Sequence, residues 1–374
     1  MLGFRSLFPV LTLPLSIIAV GTLGEVEAEE PEHVMVYDEP GRFAAWPANG
    51  GLWSWDGGQE LVVTFEVGWF RDKPDHEDGH ARDERSCDDY LARSLDGGLT
   101  WEWSRYSQFG GGGEYETLKE PMPFGAEGFA FKSQGERFYF TSDRGHVWSG
   151  PFRLAVWGVL GKFEARTDYM ITGERSGLFY LAVEPDGTQE RAFVAETSDG
   201  GLTFDLRGWI ADTQPAQHQR WVMPSAVRIS ADHLVAAVRR KDDRALRNWI
   251  DLYDSHDNGR TWSLVRKITD TATDGEPFNG NPPSLVRLAD GRLVVTYGVR
   301  AAPYRIAARS SEDDGRTWSP EITLRGGARN WDIGYPKTVV RADGMLVTVY
   351  YFATPDNRDQ FIAATIWNPD ILSQ

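Results

Sequence analysis

The chain has 374 residues, a formal net charge of −16 at pH 7 and one cysteine, Cys87. A surface this acidic repels phosphate backbones and anionic lipid, which sets aside nucleic acid and stable membrane insertion as partners. A lone thiol allows no intrachain disulfide and reads as a partly buried side chain near a strand.

In chain order, residues 1–28 read as a secretory leader: Arg5, an apolar run over 7–20, then a small-residue cleavage site at 26–28. Pro9 and Pro14 interrupt the run, which is short of the ~20 residues an anchor needs. A secreted or periplasmic product is expected. HVMVY (33–37) then alternates as a strand.

Five copies of one turn follow: SLDGGLTW (94–101), TSDRGHVW (141–148), TSDGGLTF (197–204), SHDNGRTW (255–262) and SEDDGRTW (311–318). The aspartate accepts N–H bonds of its own turn, the glycine takes the positive φ, and the aromatic residue anchors the next strand. Asp96, Asp143, Asp199, Asp257 and Asp313 are 47, 56, 58 and 56 residues apart. Hairpins at 225–238, 284–297 and 337–350 run in phase, two of them with Asp-Gly turns at Asp290-Gly291 and Asp343-Gly344. This period predicts propeller blades of four strands. Five complete blades and a sixth lacking one strand are expected, the gap filled by HVMVY pairing with FIAATIW (361–367). The prediction is an all-β, six-bladed β-propeller, one domain over 29–374, acting as a monomer.

A residue eight positions before an Asp turn stands about 26 Å away along the strand, on the opposite face. Arg191 and Arg305 are eight before their aspartates and Arg247 ten before, so three successive blades offer an arginine at one height. Such a set suits a carboxylate. The loop over 70–89 on the same face carries Asp75, His76, Asp78, His80 and Asp83. Asp83 is the candidate proton donor, with His80 placed to tune it. His76 and His80 lack a defined ligand spacing, and no metal or cofactor is assigned. Arg166 and Asp168 belong to a polar run that either lines the groove or ends a strand. Trp46, Trp53, Trp69, Trp221 and Trp331 fall near these loops. Core packing explains most tryptophans, and Trp46 is the one carried forward as a sugar-stacking candidate.

With its Asp turns, its arginines and GYP (334–336), the mature chain resembles the sialidase (neuraminidase) superfamily. The resemblance implies a Tyr335 nucleophile at the opening of the last blade, Arg305 as the last carboxylate-binding arginine and Arg247 as the middle one. It departs from the family in two places. FAAWP (43–47) lacks the expected first arginine, leaving Arg42 or Arg191 for that role, and VMP (222–224) puts Met223 where an activating glutamate is expected. Asp332 is then the candidate base. The implied activity is exo-hydrolysis of a terminal α-linked sialic acid or related acidic sugar. The alternatives are a hydrolase or lyase for another acidic or deoxy-sugar glycan, with Asp83 and Asp332 as paired carboxylates, or a non-catalytic glycan-binding propeller.

Overall fold

A computed structural model describes residues 1, 3, 30–73, 79–83, 85, 87–109, 114–164, 166–185, 189–210, 218–272 and 280–373. The expected leader lies outside the described residues but for Met1 and Gly3. Among them, no helix is long and apolar enough to cross a membrane.

The described strands form six small antiparallel sheets arranged as the blades of a propeller. The second and third strands of the later blades are continuous apolar runs, as expected for sheets covered on both faces. Leu293–Val299, Leu346–Phe352 and Phe361–Trp367 are buried along their whole length. Six apolar clusters fill the six spaces between neighbouring blades. A seventh sits on the axis.

The ring closes as the alternation at the N-terminus predicts. Glu32–Tyr37 pairs antiparallel with Phe361–Trp367 as the outer strand of the sixth blade, Val34 facing Ala364. This links the two ends of the propeller by hydrogen bonds. Four strands per blade is met less evenly. The second blade has three described strands, Ala130–Gln134, Arg137–Thr141 and Ser149–Arg153. In the first and third blades the inner strand is in two pieces; in the first, Arg42–Ala45 and Gly51–Trp55 flank a short helix, Pro47–Gly50.

The Asp turns have the chemistry their sequence implies. Asp96 accepts Thr100 N–H at 2.9 Å and the Thr100 hydroxyl at 2.6 Å. Ser94 Oγ donates to it at 2.8 Å, and the Trp101 indole donates to Gly98 O at 2.9 Å. In the divergent copy Val147 supplies only its N–H, at 3.0 Å from Asp143. There Trp148 is buried against Trp53, ring centroids 5.0 Å apart. The turns lie on the face away from Tyr335. Arg341, which follows the strand that Tyr335 opens, donates to Gly97 O at 3.0 Å in the first Asp turn.

These turns make stability pH-dependent. Partial burial works to raise all five aspartates, but the hydroxyl and N–H bonds outweigh it and hold each below the usual range, Asp257 at about 2. A carboxyl depressed on folding contributes stability that is present above its unfolded pKa of about 3.9 and lost as pH falls through the folded value. Thermal unfolding is therefore expected to hold steady down to about pH 4.5 and weaken between about pH 4 and 2. Asp257→Asn should start lower at neutral pH and fall less steeply; an unchanged slope in this variant would count against the turn as the acid-sensitive element.

Candidate active site

Three inner strands are interrupted in the same way. Trp46, Met223 and Tyr335 each precede a proline and have φ of 62°, 52° and 48°. The residue before proline is normally extended, and positive φ is uncommon outside glycine. Pairing slips at two of these points, between Val222 and Ser225 and between Gly334 and Lys337. Such a bulge re-aims its side chain, and unusual backbone of this kind gathers at functional sites. Here it turns side chains toward the axis, where Tyr335 packs against Ala48, Ala182, Val222 and Met223.

Asn281 sets the backbone of Tyr335. Its Oδ1 accepts the Tyr335 N–H at 2.6 Å while its Nδ2 donates to Ile333 O at 3.2 Å. A Cβ on Gly334 would stand 2.0 Å from that Oδ1, and φ there is 107°, so glycine is required.

The Tyr335 hydroxyl accepts from Arg239 Nη1 at 3.0 Å, and the same nitrogen lies 3.7 Å from Met223 Sδ. The Arg300 guanidinium is 5.5 Å from the Tyr335 ring and 5.2 Å from that of Trp331. Burial works to raise the phenol, but the charges of Arg239, Arg300 and Arg166, with the Arg239 hydrogen bond, hold it below its ordinary value. Both arginines are buried; Arg300 donates to Ile333 O and, at 2.5 Å, to Tyr351 Oη.

Tyr351 leads to a second centre. Its hydroxyl donates to Asp332 Oδ1 at 2.8 Å, and His80 Nδ1 lies 2.7 Å from the same oxygen. Asp332 Oδ2 accepts Ala81 N–H at 3.2 Å and Gln360 Nε2 at 3.4 Å. Burial works to raise Asp332, but His80, Arg300 and Tyr351 hold it below the usual carboxylate range. An ionised carboxylate on Nδ1 makes that nitrogen the donor and leaves Nε2 for proton exchange. Trp46, Trp331 and Phe43 surround the imidazole, centroids 4.9, 5.7 and 6.0 Å away.

Tyr335, Asp332, His80 and Trp46 thus come together through one network. Arg166 acts on Tyr335 by its charge and donates to Asn49 Oδ1 at 3.0 Å, on the short helix after Trp46. Asp168 accepts Lys337 Nζ at 2.8 Å in a cavity of about 330 Å³ lined by Trp53, Trp55, Phe129 and Tyr169.

The arginines chosen from spacing lie elsewhere. Arg305 is held by Glu321 at 2.6 Å and Pro303 O at 2.7 Å. Arg191 lies 4.1 Å over Trp209 on its blade's outer strand, and Arg247 is exposed opposite Asp242. All three open third strands, one step of about 4.8 Å further from the axis than second strands. Arg239 and Arg300 are instead near the ends of the second strands Leu234–Asp242 and Leu293–Val299. Arg42 stacks 4.3 Å over Trp69. Asp83 pairs with Arg85, and His80, expected beside Asp83, is held by Asp332 instead. Asp75, His76 and Asp78 lie outside the described residues.

Sequence reasoning missed Arg239, Arg300, Asn281 and Tyr351. The signal for the arginines was in the hairpin repeat, where LVAAVRR (234–240) and LVVTYGVR (293–300) carry an apolar strand into arginine.

Among family comparisons, the BNR repeat-like domain matches residues 126–348, more than half of the chain. The chain belongs to this family. No curated protein sequence matches the BNR repeat-like chain. Solved structures share its fold. A Dyadobacter fermentans protein of unknown function is 22% identical over 91% of this chain and 99% of its own, with a TM-score of 0.65. The GH93 α-L-arabinofuranosidase of Fusarium graminearum is 14% identical over 91% and 99%, with a TM-score of 0.61. The Hadza microbial sialidase Hz136 is 15% identical over 88% of this chain and 66% of its own, with a TM-score of 0.59.

Proposed function

We propose that this BNR repeat-like propeller is an exported glycosidase that removes a terminal acidic sugar, sialic acid or a relative, with Tyr335 as nucleophile. One observation carries the reading: a phenol, not a carboxylate, stands at the axis with its oxygen on Arg239 and further cationic charge around it. A carboxylate nucleophile is repelled by a sugar bearing its own carboxylate at the anomeric carbon, whereas a phenol is not, and tyrosine is the known exception for such sugars. Arg239 does what a neighbouring base does elsewhere, favouring the phenolate.

In the proposed reaction the Tyr335 oxygen attacks the anomeric carbon as the glycosidic bond breaks, and His80 Nε2–H protonates the leaving oxygen. Water then attacks the tyrosyl-linked sugar, His80 takes its proton and the phenolate is released. Asp332 orients His80. Asp83 has its carboxylate on Arg85, and the proton-donor role passes to His80 in this reading. Arg166 is the candidate contact for the sugar carboxylate and Trp46 for the ring. Two fold neighbours, a sialidase and an arabinofuranosidase, agree with a glycosidase and leave the sugar open.

A second reading is β-elimination on a uronide, with the phenolate taking the proton at C5 and His80 protonating the leaving oxygen. It is favoured by the burial of Asp332, 1% exposed, which leaves the network without a solvent-facing carboxylate. A panel of α-sialosides and uronides, with products identified by mass, separates the two. Free sialic acid supports the first, an unsaturated uronide the second, and no turnover of any glycoside favours a glycan-binding propeller.

Arg239→Met tests the electrostatic claim. Loss of one group that stabilises the reacting oxyanion is expected to lower kcat by about 10²–10³-fold. The cation holds the phenol down, so its loss should also move the ascending limb of the pH–rate profile to higher pH. A reduced rate with an unmoved limb would make Arg239 a packing residue.

A further inference from the structure

On the Asp-turn face, far from Tyr335, the fourth blade carries a second cluster that the proposed chemistry does not use. His233 immediately precedes the second strand, Leu234–Asp242, and His256 immediately follows the third, Arg247–Ser255. Leu234 pairs with Ser255, so the two histidines are the next facing positions of the ladder. Their rings stack with centroids 4.2 Å apart and planes 24° from parallel. Asp254 Oδ2 lies 3.1 Å from His256 Nε2. One ligand atom from each of His233, Asp254 and His256 fits within a mutual distance of 4.8 Å.

His233 Nε2 is a buried nitrogen without a hydrogen-bond partner. A buried, unpaired imidazole nitrogen costs free energy unless something satisfies it. Asp254 and Asp314 of the next blade's Asp turn bring negative charge to His233, and His256 and Arg316 act against it.

The repeat shows that this pairing is not demanded by the fold. The position of His256 in the Asp turn is occupied by Leu95, Ser142, Ser198 and Glu312 in the other copies. The position of His233 is Arg292 and Met345 in the other two hairpins. Only the fourth blade puts histidine at both.

We infer that His233, Asp254 and His256 form a site for a divalent transition ion of the zinc class, pinning the first hairpin turn of the fourth blade to its Asp turn. Two imidazoles and one carboxylate suit Zn(II), Ni(II) or Cu(II), whereas Mg(II) and Ca(II) prefer all-oxygen sets. Small side-chain rotations bring the three atoms to the ~2.0–2.2 Å bonds zinc makes with nitrogen and oxygen. In a chain with one cysteine, such a clip is a cross-link between turns that a disulfide cannot supply.

The test is calorimetric titration of the chelator-treated full chain with ZnCl₂, MgCl₂ serving as control, alongside thermal unfolding. One zinc per chain is expected, with Tm raised by about 2–5 °C at a hundredfold excess over Kd. His256→Ser copies the residue of two other Asp turns, so the fold tolerates it, and it should weaken zinc at least about tenfold, as should His233→Met. Glycosidase turnover should be unchanged in both variants, so this site and the Tyr335 reading fail independently. Absence of zinc binding, or binding that both variants retain in full, would overturn the inference.

Discussion

Tyr335→Phe is expected to fold and bind its sugar like the wild type while losing roughly 10³–10⁶-fold in turnover, the scale seen when a nucleophile is removed. The change deletes one oxygen and hardly alters volume, so the axial packing against Ala48, Ala182, Val222 and Met223 persists. What disappears is the hydroxyl 3.0 Å from Arg239 Nη1. Were Tyr335 only a lining residue, phenylalanine would cost about one hydrogen bond, roughly 0.5–1.5 kcal/mol, and about tenfold at most. Stopped-flow trapping of a tyrosyl–sugar adduct with a slow leaving substrate distinguishes these outcomes directly, and a variant within tenfold of wild type would exclude the covalent role.

Asp332→Asn is the second large effect. The carboxylate is 1% exposed and accepts from Tyr351, Ala81 and Gln360 besides holding His80. An amide keeps the shape but replaces an anion with a group that is half donor, so His80 loses the partner that fixes Nδ1–H. Turnover is expected to fall by about 10²–10⁴-fold, as when the carboxylate behind a catalytic histidine is neutralised. Stability should also fall, by about 2–4 kcal/mol, because buried charge-assisted bonds are lost and the Arg300 charge stays buried. The sign follows from its depressed pKa: the contribution is present at neutral pH and is lost as pH falls through the folded value. A stability loss with turnover intact would make Asp332 purely structural. In that event His80→Gln, which leaves the carboxylate in place, still reports whether the imidazole transfers a proton.

The repeat made the fold legible in the sequence. Each Asp turn is closed by residues within a few positions of each other, so its chemistry is local. Its five copies, with the further hairpin at 337–350, gave six blades, and the alternation at 33–37 indicated the closing strand, whose pairing with 361–367 completes the ring. Tyr335 was named through the resemblance carried by GYP (334–336) just ahead of the last hairpin. His80 and Asp332 were named separately, but not as partners: they are 252 residues apart and meet only because the ring brings the first and sixth blades together. The arginines depended most on tertiary structure. Spacing placed Arg191, Arg247 and Arg305 at the strand ends away from the Asp turns but says nothing of distance from the axis. Third strands stand one sheet spacing outside second strands, and there Glu321 and Trp209 take up Arg305 and Arg191. Arg239 and Arg300 reach Tyr335 because they stand near the ends of second strands, next to the innermost ones, a radial position that no one-dimensional pattern encodes.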